Sequence, residues 1–287
     1  MAYKLSEVTE LRIIQKAVIV LFAVSVVIFG VSKVSEIFSG DSSKPVIKST
    51  SDSITVSCDY TEKEILQGLT AEDRQDGDLT DEIIVGNFSR FVEKGKSKAT
   101  YVVFDSSNQP ATYVREVVFK DYVSPQFRLG KPLVIEANSS VNEKDLISAT
   151  DVFDGDISSR VRVTDSNVNY SVAGDYVVEA EVSNSFGDTV KADFPVHVVT
   201  SPETRVEISL KENIVYIEKG AKFNALSYID RVTSFFGQPM DKSSVGIESF
   251  VNTSKPGCYE VRFTATDETG SRGVTYMVVF VTEKGDI

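Results

Sequence analysis

Residues 71–80 read AEDRQDGDLT and residues 148–158 read SATDVFDGDIS. Each loop sets an alanine ahead of the pattern Asp-x-x-Asp-Gly-Asp, followed by an aliphatic and a hydroxyl residue. Carboxylates clustered around a glycine are how a short loop supplies the roughly six to eight oxygens that calcium takes. Asp73, Asp76 and Asp78 in the first loop, and Asp151, Asp154 and Asp156 in the second, are therefore the candidate calcium ligands. The spacing is not that of an EF-hand, and no bidentate glutamate follows at its offset. The competing reading is a turn, in which Asp side chains cap their own backbone and Gly77 and Gly155 supply a positive φ. Carboxylates that hydrolyse glycosides face each other across a cleft. These share one loop, which argues against hydrolase chemistry.

Counting closes other routes. Among 287 residues there are one histidine, no tryptophan and two cysteines, so a Cys/His zinc cluster is excluded. A histidine-based triad could use only His197, which sits in FPVHVV with Val196 and Val198 on the opposite face of a strand and no Ser or Cys partner in view. It is expected to be a partly exposed structural side chain. The balance of 30 Lys+Arg against 42 Asp+Glu gives a net charge of −12. That argues against a nucleic-acid partner, which needs clustered cations.

The elements that would position these loops repeat. KATYVVFDSSNQPATYVREVVFKD (98–121), GDYVVEAEVSNSFGDTVKADFPVHVV (174–199) and GCYEVRFTATDETGSRGVTYMVVFV (257–281) each read as a strand opening on tyrosine, a polar turn and a second alternating strand. This is a β-hairpin recurring at about 80 residues. Tyr176, Val178, Ala180 and Val182 fall on one face and Asp175, Glu179 and Glu181 on the other; Tyr259, Val261, Phe263 and Ala265 form the matching face in the third copy. Shorter β-rich runs such as SITVSC, KPLVIEA and NIVYIEKG precede each hairpin. About seven short strands per copy fit an immunoglobulin-like sandwich, with the opening tyrosine as a tyrosine corner. The fold class is all-β: three tandem immunoglobulin-like β-sandwiches preceded by one transmembrane α-helix.

The order A-x-D-x-x-D-G-D-[LI]-[TS], then G-x-Y-x-V, then a polar turn before the last strand resembles bacterial immunoglobulin-like domains of the DUF5011 type, also described as the Ig-like domain of pesticidal crystal proteins. The resemblance covers roughly residues 44–283. In the first copy KSKATY lacks the glycine before Tyr101; in the third the Asp-Gly-Asp is missing, and Asp230 is the expected counterpart of Asp73 and Asp151. The resemblance implies surface modules that serve as stalks or binding units and names no ligand.

AVIVLFAVSVVIFGVS (17–32) carries no charge. With Ile13, Ile14 and flanking Lys16 and Lys33 it reaches the roughly 20 residues a spanning helix needs. A cleaved signal peptide or a buried core helix is the alternative, but no A-x-A-like site and no polar face are present. Lys4, Arg12 and Lys16 favour a cytoplasmic N-terminus. The expected layout is a tail at 1–12, a transmembrane helix at 13–33, a linker at 34–43, and repeats at 44–122, 123–200 and 201–287.

Cys58 is expected as a buried thiol and Cys258 as an outward-facing one, both free, because the first and third sandwiches of an extended array would not touch. Stacked end to end, each sandwich would add roughly 35 to 40 Å. Phe235, Phe236 and Met240 in SFFGQPM either mark a binding surface or fill the third core. The expected function is that of a non-enzymatic, single-pass protein of the bacterial cell membrane. Its extracellular domains would act as a stalk or adhesion module toward a surface glycan or protein. The alternative is an accessory subunit of an envelope-spanning membrane complex, with contacts made by the helix and ectodomain.

Overall fold

The structure is a computed structural model that describes residues 18–31, 43–141 and 145–286. Residues 18–31 form helix α1, and its apolar side chains are exposed. The expected span of 13–33 is thus described only in part, its remaining residues lying outside the described ones. Among the described residues no helix is long and apolar enough to cross a membrane.

Beyond α1 the described residues are all-β apart from short helical turns, with one strand pattern recurring along them. The first repeat contains β1 (Val46–Ser49), β2 (Ser53–Val56), the short helix α2 (Glu62–Ile65), β3 (Leu69–Asp73), β4 (Gly77–Asp78), β5 (Ile84–Phe88), β6 (Lys96–Phe104) and β7 (Pro110–Phe119). The second contains β8 (Gln126–Leu129), β9 (Val134–Glu136), β10 (Ile147–Asp151), β11 (Gly155–Asp156), β12 (Arg162–Ser166), β13 (Gly174–Ser183) and β14 (Thr189–Val199). The third contains β15 (Glu207–Leu210), β16 (Ile214–Glu218), β17 (Ile229–Thr233), β18 (Gly246–Ser249), β19 (Gly257–Thr266) and β20 (Arg272–Thr282). Small sheets β1–β3–β4, β11–β10–β8 and β15–β17 accompany four-stranded sheets β2–β7–β6–β5, β12–β13–β14–β9 and β16–β20–β19–β18. In each large sheet the early strand joins the last one in parallel, as Ser53 pairs Glu116, His197 pairs Val134 and Ile214 pairs Val278.

The chain divides into two compact units. One runs up to Thr50 and adds Gly68–Val85 and Tyr101–Tyr113; the other holds Ser51–Gln67, Gly86–Thr100 and everything from Val114 onward. The first unit contains the β1–β3–β4 sheet, with Val46 opposite Glu72 and Asp73 opposite Gly77. In the second unit the long hairpins follow the period-two pattern: Val178, Ala180 and Val182 are buried from β13, and Val261, Phe263 and Ala265 from β19. Phe194, fully buried against Phe127 at a ring distance of 5.1 Å, contributes about 2–3 kcal/mol from apolar burial.

Three expectations change here. The tyrosine that opens the hairpin is not at one position in all copies. The turn residues Asp105, Asn184 and Asp267 each take the same backbone bond, from N–H to the carbonyls of Gln109, Asp188 and Ser271. Counting back from them aligns Gly95, Gly174 and Gly257, then Ser97, Tyr176 and Tyr259, then Tyr101, Ala180 and Phe263. The first repeat therefore does have its glycine, at φ 71°. Tyr101 is a buried core residue, and Ser97 takes the corner position by donating to the Ser89 carbonyl at 2.8 Å. Tyr176 and Tyr259 are true corners, donating to the carbonyls of Val172 (2.9 Å) and Lys255 (2.8 Å).

The second change concerns the third repeat, which lies alongside the second instead of continuing beyond it. Ile214 and Val278 join the core of the second repeat, and Tyr216, Cys258 and Phe280 pack against it. The Tyr216 hydroxyl accepts the Phe127 N–H at 2.7 Å. Lys94, from the first repeat, reaches Asp286 at 2.6 Å, so residues of the first and third repeats meet after all. The cause is the outer face of the third large sheet: Tyr216, Cys258 and Phe280 face outward from their own sandwich and need cover.

The third concerns the thiols. Both cysteines are free. Cys58 is half-buried instead of buried, its N–H bonded to Asp121, and burial followed by Asp121 pushes its thiol up to about 12. Cys258 is outward on its sheet as expected but covered by the second repeat, and burial pushes it up to about 12 as well.

Candidate functional site

Each acidic loop is a closed set of caps. In the first unit Asp73 Oδ1 accepts the N–H groups of Gln75 (2.7 Å) and Asp76 (3.1 Å), and Oδ2 accepts the Ser43 hydroxyl at 3.1 Å. Asp76 accepts both the N–H and the hydroxyl of Ser106 at 2.8 Å, which ties the loop to the hairpin turn. Asp78 accepts the Thr80 N–H at 2.9 Å. Gly77 has φ 80°, the backbone state the turn reading required.

The second loop repeats the scheme with different partners. Asp151 accepts from the N–H groups of Phe153 (2.9 Å) and Asp154 (3.1 Å) and from Asn184 Nδ2 (3.0 Å). Asp154 accepts the Ser185 N–H at 2.6 Å and pairs with Arg160 at 2.5 Å. Asp156 takes both the N–H (2.9 Å) and the hydroxyl (2.5 Å) of Ser158.

Such donors favour the ionised form. The bond from Gln75 N–H holds Asp73 below the ordinary carboxylate range, and the bonds from Thr80 and Ser158 do so for Asp78 and Asp156. Burial works against Asp154, yet Ser185 and Arg160 outweigh it and hold that group low too. Among the described residues no group of three or more His, Cys, Asp and Glu side chains is arranged to hold a metal ion. What the six aspartates do in this structure is close turns.

In the third repeat the register corrects the expected correspondence. Thr233 bridges Pro239 as Glu72 pairs Asp78 and Thr150 pairs Asp156, so Ser234, not Asp230, stands where Asp73 and Asp151 stand. Asp230 is exposed on β17. Ser234 keeps a weaker version of the cap, accepting the Gln238 N–H at 3.1 Å. The turn residue Asp267 compensates from the other side by accepting the Phe235 N–H at 3.1 Å.

Phe235 and Phe236 do not fill the third core. They are 51% and 69% exposed, with rings 5.2 Å apart, and the Arg205 guanidinium lies 5.4 Å from the Phe235 ring. Met240 is half-buried against the core and helps line a cavity of ≈ 530 Å³, with Phe236, Pro239, Asp241 and Glu268 among its other walls. Those dimensions fall within the range of ligand pockets, roughly 300–1,000 Å³.

Two features escaped the reading of the sequence. One is an aromatic joint between the first and second repeats: Phe91 stacks on Phe186 at 4.7 Å, and Phe153 lies 4.8 Å from both Phe119 and Phe186. Beside it Tyr122 donates to Asp188 and accepts from Asn184, both at 2.8 Å. The aromatics at 88, 91, 119 and 122, bunched at the end of one repeat, were the available signal.

The other is His197, which is buried and not partly exposed. Nδ1 lies 2.8 Å from Asp175 Oδ1, Nε2 lies 2.6 Å from Glu260 Oε2, and the ring stacks on Tyr276 at 3.5 Å. Only the doubly protonated imidazolium donates to both carboxylates. Burial opposes its charge, but Glu260 and then Asp175 outweigh this and hold its pKa above the ordinary histidine value. With both nitrogens occupied by carboxylates, this histidine is no general base.

No family model matches the chain. Over 246 residues it is 29% identical to the pesticidal crystal protein Cry22Aa of Bacillus thuringiensis, a stretch covering 83% of this chain and 33% of that protein. Over 252 residues it is 26% identical to internalin I of Listeria monocytogenes, covering 80% of this chain and 14% of that protein. The chain thus spans a third or less of the length of these relatives. A solved structure, the M60 catalytic domain with the CBM51-1 and CBM51-2 domains from Clostridium perfringens ZmpB, aligns over 85% of this chain and 31% of that one, at 13% identity and a TM-score of 0.25. By its strands and its sequence likenesses, the chain is similar to β-rich domains of the bacterial surface type.

Proposed function

We propose that this chain is a non-enzymatic, single-pass protein of a bacterial cell membrane. Three tandem immunoglobulin-like sandwiches of the DUF5011 kind would hold a binding or adhesion surface outside, with the N-terminus in the cytoplasm. The observation that carries the anchor is α1, which bares apolar side chains around its circumference, Leu21 and Phe22 at 72% and 70% exposure among them. A helix apolar all round belongs in lipid or in a core, and among the described residues its side chains are left exposed.

The absence of a catalytic role is supported by chemistry already described: the single histidine is locked between two carboxylates, and the acidic loops cap their own turns. Partners of the surface kind, a glycan or a protein, suit the exposed aromatic tip of the third repeat; nucleic acid does not suit a net charge of −12. Internalin I is a relative over most of this chain, which supports the surface reading.

The rival, an accessory subunit held by its helix, finds less support. The Ser25 hydroxyl, the best polar contact α1 could offer another helix, is spent on the Leu21 carbonyl at 2.9 Å. Replacing residues 13–33 with an unrelated spanning helix separates the two readings. A surface module keeps cell binding after the swap, whereas a complex subunit loses function with its own helix.

A further inference from the structure

We propose that the tip of the third repeat is a self-association surface that pairs two copies of this chain about a two-fold axis. The first ground is a precedent inside the molecule. The matching tip of the second repeat is a docking end: Phe153, two residues past Asp151, enters the aromatic joint with Phe91, Phe119 and Phe186. Phe236, two residues past Ser234, occupies the same position in the third repeat, yet it is 69% exposed and has Phe235 beside it. An end built to be covered is uncovered.

The second ground is the form of the tip, which makes a copy of itself the fitting occupant. A two-fold interface requires one patch to carry both halves of each contact. Here a projecting ring, Phe236, stands at the edge of a cavity of ≈ 530 Å³ walled in part by Pro239 and Met240, ample for a phenyl ring. Charge is paired in the same way: Arg205 lies over Phe235 on the exposed side, while exposed Asp241 and Glu268 line the cavity. Rotation about an axis between two tips sets ring against cavity and guanidinium against carboxylate twice over. An aromatic seated in a pocket and ringed by charge is the usual centre of a tight interface.

The inference shares the tip with the adhesion reading but does not need the anchor. The test is sedimentation equilibrium of the full chain in detergent, with Phe236→Ser, Arg205→Glu, Glu268→Arg and the double charge reversal. Phe250→Ser, an exposed ring on another edge of the repeat, is the control. The expected result is a concentration-dependent dimer that Phe236→Ser weakens by about tenfold or more. Phe250→Ser leaves it unchanged, each single charge reversal weakens it, and the double reversal restores it to within about threefold. A wild-type chain that stays monomeric overturns the proposal, and so does a dimer indifferent to Phe236→Ser, which would place the contact elsewhere. A monomer that still fractionates with membranes and binds cells would sink the pairing and leave the adhesion reading standing.

Discussion

Replacing His197 with glutamine removes the positive charge from the seam between the second and third repeats while keeping a neutral donor. In the native chain the imidazolium serves Glu260, whose side chain is 18% exposed, and Asp175, whose side chain is 87% exposed. A hydrogen bond to a charged partner contributes about 1.5–3 kcal/mol against about 0.5–1.5 for a neutral one, and the exposed Asp175 pair adds about 0–1. The substitution should therefore cost about 1–2.5 kcal/mol where the histidine is protonated. The sign with pH follows from the raised pKa. A proton held more tightly in the folded than in the unfolded chain stabilises the fold fully below the unfolded value of about 6.5, and that contribution fades as pH rises through the folded value. Urea unfolding followed by tyrosine fluorescence, usable because there are 11 tyrosines and no tryptophan, should show wild type and variant farthest apart near pH 5 and converging at alkaline pH. Comparing the two chains at each pH cancels the carboxylates, which both share. A gap that is the same at both ends, or that widens with pH, refutes the argument.

Other consequences are simpler. Asp151→Ala leaves two backbone donors and Asn184 without their buried acceptor and should lower stability by about 1–3 kcal/mol, read as a fall in the urea midpoint. A β-carbon at Gly273 would sit 2.0 Å from the Val206 carbonyl oxygen, so Gly273→Ala must displace the segment before β15 and cost about 1–3 kcal/mol, whereas an alanine at Gly130 meets nothing. Tyr259→Phe deletes the corner bond to Lys255 and should cost about 0.5–1.5 kcal/mol by the same assay. Calcium and chelator should leave the melting temperature of the chain unchanged, because among the described residues no group of three or more carboxylates, His or Cys is arranged to hold a metal ion; a calcium-dependent rise would return the loop aspartates to metal ligation.

Much of the architecture could be read from period-two alternation. Val178, Ala180 and Val182 were assigned to a buried face, and they are buried; the polar hairpin turns and the positive φ of Gly77 and Gly155 also followed from residue types. Alternation assigns faces but does not say what covers the outer one. That is why Cys258 and His197, both outward on their strands, were expected to be exposed at least in part, and why an end-to-end array was expected in place of the packed second and third repeats. Alignment by the nearest tyrosine failed for a related reason. Tyr101 looks like the opening tyrosine, but the hairpin is anchored by its turn, and counting from Asp105 places Tyr101 with Ala180 and Phe263. Asp230 misled in the same way, since the bridge of Thr233 to Pro239 fixes Ser234 as the loop's first cap.

The site was legible in part. The acidic loops announce themselves, but choosing between turn and metal depends on where each oxygen goes, which is a matter of neighbours as remote as Ser106 from Asp76. The seam histidine depends on Asp175 and Glu260, one in each of two repeats, and nothing local marks their meeting.

Surface display of an anchored chain is the central claim, and protease shaving of intact cells tests it most directly. Cells carrying the full chain with an N-terminal tag are treated with protease, then separated into membrane and soluble fractions. The account gives a tag that stays with the membrane through a high-salt wash, and sandwiches that are cut on intact cells. A chain that is protected until lysis, or that leaves with the soluble fraction, contradicts it.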